Sequence, residues 1–150
     1  MTGKKSTSFI TITILASMVL ASFSSITNVP MIVRGANDPI QPPDGGTVEV
    51  WGGWPVTDTR EYHNCKIIMN GNLASSSTGS LTFHNVTLIM NNSFSMEYNM
   101  NVQGYFEISD WDSNKTTEFD RSIITTPPQP KLGYNMIVTG QLLAKYSLIE

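Results

Sequence analysis

The chain has 150 residues, 40% of them hydrophobic and only 14% charged, with a formal net charge of −3. That length sets a ceiling of about one domain, and the lack of any basic run excludes the electrostatic footprint of a nucleic-acid binder. The single cysteine, Cys65, forms no internal disulfide, which excludes a stapled mini-protein.

Residues 1–36 read as an export signal or an N-terminal anchor. Lys4 and Lys5 precede Phe9 to Phe23, a mostly apolar stretch of 15 residues without charge. Small residues follow at Ala21, Ser22, Ser24 and Ser25. This is the tripartite pattern of a secretory signal, and the stretch is short for a membrane span of about 20 residues. An uncleaved anchor extended by Ile26 to Val33 is the alternative. Cleavage after Ala21 and cleavage near Ala36 both fit. Past Asn37, twelve acidic residues face six basic ones.

Residues 37–46 read as a linker, because three prolines and two glycines disfavour regular structure. Residues 47–150 read as the folded part. Thr47-Val48-Glu49-Val50-Trp51 alternates as a strand does. Trp51, Trp54 and Tyr62 are expected to close the first end of the core. Their other reading is an aromatic platform for sugar rings.

A short phrase then occurs twice, 21 residues apart: Asn64-Cys65-Lys66-Ile67-Ile68-Met69-Asn70 and Asn85-Val86-Thr87-Leu88-Ile89-Met90-Asn91. A period near 20 suits one coil of a solenoid. Strand alternation puts Cys65, Ile67 and Met69 on one face. The offset would stack them under Val86, Leu88 and Met90. Cys65 thus reads as a small buried hydrophobe. His63 and His84 share the same offset, so they are expected to be neighbours.

Asn64 and Asn85 are expected at sharp corners, in the left-handed backbone region, with one amide stacked on the other. Asn85, Asn91 and Asn114 each begin a glycosylation sequon. A ladder would occupy the Asn85 amide, leaving Asn91 and Asn114 as the better acceptors.

A second match joins Tyr98-Asn99-Met100-Asn101-Val102-Gln103-Gly104 to Tyr134-Asn135-Met136-Ile137-Val138-Thr139-Gly140, at an offset of 36. The longer step implies an insertion, read as a loop over residues 110–133. It opens Asp110-Trp111-Asp112-Ser113-Asn114, like a calcium loop. Lys115 and Arg121 stand where an EF-hand needs Gly and Glu, so that motif fails. A looser calcium site from Asp110, Asp112 and Asp120 is weighed against a plain solvated loop; no other cofactor is expected.

Aligned on Gly79 and Gly140, Tyr146 takes the place of Asn85 and Ile149 that of Leu88. The chain therefore stops inside an expected strand. The expected fold is all-β: a right-handed parallel β-helix of about three to four coils, open at its C-terminal end.

The run from Gly79 to Asn91 resembles the N-terminal coils of secreted right-handed parallel β-helix proteins, the pectate-lyase-like superfold. It is especially similar to large archaeal surface proteins with a Trp-rich entry segment. The resemblance implies fold more than activity, because the superfold holds lyases, hydrolases, epimerases and non-catalytic surface proteins.

Two functions follow as expectations. The first is a non-catalytic structural or adhesive module, secreted or at the cell surface. Its partners would be cell-envelope polysaccharide or other surface proteins, with membrane contact only through an uncleaved N-terminal segment. The second is the N-terminal part of a polysaccharide lyase or hydrolase whose catalytic coils lie elsewhere. No catalytic residue is assigned. The outward positions Lys66, Ile68, Thr87, Ile89, Asn101, Gln103 and Glu107 hold no stacked acidic pair.

Overall fold

In a computed structural model, residues 30–34, 38–112, 120–128 and 132–150 are described. Twelve strands run in chain order: β1 Met31–Arg34, β2 Thr47–Trp51, β3 Trp54–Val56, β4 Thr59–Asn70, β5 Leu73–Ser75 and β6 Ser80–Met90. They continue as β7 Asn99–Val102, β8 Tyr105–Ser109, β9 Ile123–Thr125, β10 Asn135–Val138, β11 Gln141–Lys145 and β12 Leu148–Ile149. No helix occurs among the described residues.

Every strand pair is parallel, in two sheets. One has the order β1-β2-β4-β6-β8-β11, with β9 and β12 continuing from β6; the other has the order β10-β7-β5-β3. The duplicated phrase sets the register. Cys65 pairs with Val86, Ile67 with Leu88 and Met69 with Met90, as its offset requires. The second match does the same, with Met136 on Met100 and Val138 on Val102.

β4 and β6 each bend once, into two limbs. The bends are Asn64 (φ 48°) and Asn85 (φ 54°), where asparagine tolerates a backbone that most side chains avoid. The Asn85 amide donates to Asn64 Oδ1 at 2.9 Å. Two more ladders lie elsewhere: Asn91 donates to Asn70 Oδ1 at 2.6 Å, and Asn135 to Asn99 Oδ1 at 2.9 Å. Tyr146 (φ 48°) occupies the same kind of corner, as its alignment with Asn85 implied.

The inward columns are apolar and buried. One runs Val48, Ile67, Leu88, Ile124, all fully buried; another runs Trp54, Leu73, Met100, with Met136 half-buried at the last strand. Tyr62, Phe83 and Phe106 pack edge to face, with centroids 6.0 and 5.3 Å apart. Each such side chain contributes about 1.5–3 kcal/mol by leaving water. Glycine is required where the chain enters the first limb. A Cβ on Gly104 would lie 2.0 Å from the Gly79 carbonyl oxygen, and one on Gly140 would lie 2.1 Å from that of Gly104.

Four details differ from the sequence reading. Met31–Arg34, inside the stretch read as signal or anchor, pairs with Val48–Trp51 as a strand. The rest of that stretch, up to residue 29 and at 35–37, lies outside the described residues.

Residues 38–46 hold no strand, as their prolines require, yet they are fastened down rather than free. The Gln41 side chain donates to His63 O and accepts from His63 N, at 2.8 and 3.0 Å, doing for the first limb of β4 what a neighbouring strand would do. Asp38 accepts from Trp54 Nε1 at 2.7 Å and from Arg60 Nε at 2.9 Å.

Trp54 and Tyr62 are buried and meet edge to face, with ring centroids 5.4 Å apart. Trp51 is 47% exposed, because it continues the outward alternation of Thr47 and Glu49. Finally, residues 110–133 are not one loop. β9 lies inside them, stacked on Thr87–Ile89. Its short Ile-Ile-Thr run lacks the entry glycine that precedes β6, β8 and β11 at Gly79, Gly104 and Gly140.

Two substitutions test this register by chemical denaturation. Asn85→Ala loses both the left-handed preference and the amide ladder, and is expected to cost about 2 kcal/mol. Asn85→Gly keeps the backbone freedom and should cost less. Gly104→Ala should destabilise by more than either, because its Cβ meets backbone oxygen rather than a movable side chain.

Candidate cation site and the polar face beside it

The outward side of the first limbs carries polar side chains in columns. One column is Glu61, Thr82, Glu107, Leu143; the next is His63, His84, Ser109, Lys145. The two histidines are neighbours, as their spacing implied. Trp111 lies against both, with ring centroids 5.6 Å from His63 and 6.3 Å from His84.

Ser109 Oγ and His84 Nδ1 share a hydrogen bond of 2.7 Å, and His84 Nε2 stands 3.8 Å from Glu61 Oε1. The order hydroxyl, imidazole, carboxylate invites comparison with a nucleophilic triad. Two features oppose it. Ser109 is only 4% exposed, so its hydroxyl is shielded from solvent. The imidazole–carboxylate separation is also too long for the hydrogen bond that would fix the tautomer.

Glu107 is 17% exposed in its side chain. It accepts from Tyr105 Oη at 2.5 Å and from Lys145 Nζ at 3.3 Å. The Tyr105 hydroxyl, and then Lys145, hold its carboxyl below the usual range against partial burial. Glu61 and Glu107 share a column two strands apart, so the outward rows do contain a spaced acidic pair. Glu61 and Tyr105 were missed as site residues. Extending the 21-residue register upstream to Glu61 would have found the first.

The second feature is the neck of the insertion, where the chain leaves β8 at Ser109 and returns at β9. Trp111 N donates to Asp120 O at 3.2 Å. The Ser122 hydroxyl, fully buried, donates to Ser109 O at 2.6 Å and accepts from Val86 N at 3.1 Å, bridging the break in the ladder. At this neck the structure brings together the three sequence candidates. One carboxylate oxygen from each of Asp110, Asp112 and Asp120 lies within 4.8 Å of the others. Asp110 is 2% exposed, and neither of its carboxylate oxygens has a hydrogen-bond partner among the described residues. Asp120 Oδ1 is likewise buried without one.

The glycosylation candidates fall differently. Asn85 and Asn91 both donate from their amides into ladders; Asn91 is exposed and Asn85 half-buried. Asn91, expected to be a better acceptor than Asn85, is the more exposed of the two, although its amide also donates into a ladder. Asn114 lies outside the described residues. Cys65 is buried, and burial, followed by the nearby Asp44 charge, pushes its thiol up to about 11.

No family model, curated protein or solved structure matches this chain. The site must therefore be read from its own residues.

Two measurements check this description. Glu107 has a depressed folded pKa, so its contribution is present above the unfolded carboxyl pKa and is lost as pH falls through the folded value. Glu107→Gln should cost below about 1 kcal/mol at neutral pH, and the gap to the parent should close as acidification carries the carboxyl through its depressed folded pKa. In thiol titration at neutral pH, Cys65 should stay unreactive in the folded chain and react fully once denaturant is added.

Proposed function

We propose that this chain is a right-handed parallel β-helix serving as a non-catalytic structural or adhesive module, secreted or displayed at a cell surface. The observation that carries this reading is the use of side chains. Inward positions are spent on apolar columns, and corners on amide ladders. The outward rows mix Thr82, Thr87 and Asn101 with charged Glu61, Lys66, Glu107 and Lys145, and gather no catalytic constellation among the described residues.

The handedness rests on a general rule. From β2 to β8 successive strands alternate between two sheets and return to a parallel neighbour, and such crossovers are right-handed in about 98% of cases. The export assignment rests on Lys4, Lys5 and the apolar stretch from Phe9 to Phe23. The resemblance of Gly79 to Asn91 to pectate-lyase-like surface proteins supports the same setting. Cell-envelope polysaccharide or another surface protein is the partner that fits it.

One observation favours a carbohydrate-active alternative. Glu61 and Glu107 are two strand spacings apart, about 9.6 Å along the sheet. That is close to the upper limit for paired carboxylates flanking a sugar in an inverting hydrolase. A general acid, however, needs its carboxyl raised. Tyr105 and Lys145 do the opposite to Glu107.

The test combines two assays on the protein from its own cells. A membrane-impermeant amine reagent should label it on intact cells. Incubation with a panel of acidic and neutral polysaccharides should release no reducing ends or unsaturated products. Release that vanishes in Glu61→Gln or Glu107→Gln would replace this reading with the enzyme.

A further inference from the structure

We propose that the neck of the insertion binds a calcium ion through Asp110, Asp112 and Asp120. Three carboxylates converge there, with one oxygen from each inside a 4.8 Å span. Oxygens on opposite sides of one calcium ion, at about 2.4 Å each, are separated by about that distance.

A cluster of acids on a surface proves little; the decisive feature is Asp110. It is 2% exposed, and among the described residues both of its oxygens lack a donor. A buried carboxylate without hydrogen bonds or a counter-charge is a costly state that folded proteins avoid unless a metal compensates it. Arg121, the adjacent basic residue, makes no ion pair among the described residues, and its Nε is itself buried without a partner. The missing positive charge is therefore not supplied from there.

The donor set identifies the class of ion. Oxygen-only ligands favour a hard cation over zinc or copper. Calcium accepts an irregular shell completed by water, whereas magnesium demands a tight octahedron. The exposed Asp112 leaves one side open to such waters. The ion would pin the start of the insertion to its end, beside the Trp111 N to Asp120 O bond and the Ser122 bridge. It would thereby hold Trp111 against His63 and His84.

The full chain, stripped with a chelator and dialysed, is titrated with calcium chloride by calorimetry and followed by thermal melting. One site per chain is expected, with a Kd of about 10⁻⁴ to 10⁻³ M, typical of extracellular sites, and a melting point raised by several degrees. Magnesium at equal concentration should do markedly less. Terbium in place of calcium should luminesce on tryptophan excitation, and Trp111→Phe should remove most of that signal.

Asp110→Asn should weaken calcium binding at least tenfold and, in chelator, melt higher than the parent, because it deletes a buried unpaired charge. Should that variant fail to fold, Asp112→Asn, at an exposed position, should weaken binding by about tenfold. No heat and no melting shift at about 10 mM calcium would overturn the site. So would an equal response to magnesium, or unchanged binding in the folded variants.

Discussion

Parallel pairing of like residues at a fixed step is the constraint on which everything else depends. When one strand lies on the next in register, each side chain meets its counterpart. Apolar must then stack on apolar, and any polar group inside must find a partner in its own column. The inward columns satisfy this with Val48, Ile67, Leu88 and Ile124. The corners satisfy it with asparagine, whose amide both donates and accepts, so that one copy completes the next. Close approach at the entries to the first limb then leaves room only for glycine, at Gly79, Gly104 and Gly140.

A frame built in this way makes little chemistry on its own. Chemistry enters where the repeat is interrupted, and here the interruption is the detour between β8 and β9. The detour removes a corner residue at position 110 and puts a buried aspartate there instead. Ser122 repairs the broken ladder with its hydroxyl, accepting from Val86 N as a neighbouring backbone would. The buried Asp110 carboxylate and Asp120 Oδ1 have no such repair among the described residues, and that makes the neck a place for a cation. The polar columns beside it are tied up locally: Ser109 with His84, and Glu107 with Tyr105 and Lys145.

Much of the frame was legible because the chain repeats itself. Two copies of one phrase fixed the pairing of Cys65, Ile67 and Met69, the Asn64 and Asn85 corners, and the neighbouring histidines. What the sequence concealed had no repeat to betray it. β9 is three residues long and lacks an entry glycine. The strand Met31–Arg34 follows a long apolar run in the sequence, which masks its alternation. Residues 38–46 look like a spacer, because their hold on the fold runs through single side chains, Gln41 and Asp38, to residues about 20 positions away. The aspartates were visible as a motif. The burial of Asp110 was not, since it depends on how the two ends of a long detour meet.

The in-register stacking of the two phrases is the claim to test first. In a Cys65→Ser background, Ile68→Cys is combined with Ile89→Cys, two positions that pair directly on the outward face. Parallel partners stand close enough for a disulfide, within about 4.4–6.8 Å between Cα atoms. Mild oxidation should therefore cross-link this pair readily and without loss of fold. Ile68→Cys combined with Thr87→Cys, on the same face but two residues out of register, should not cross-link. A bond in the second pair, or none in the first, would contradict the stacking and with it the fold described here.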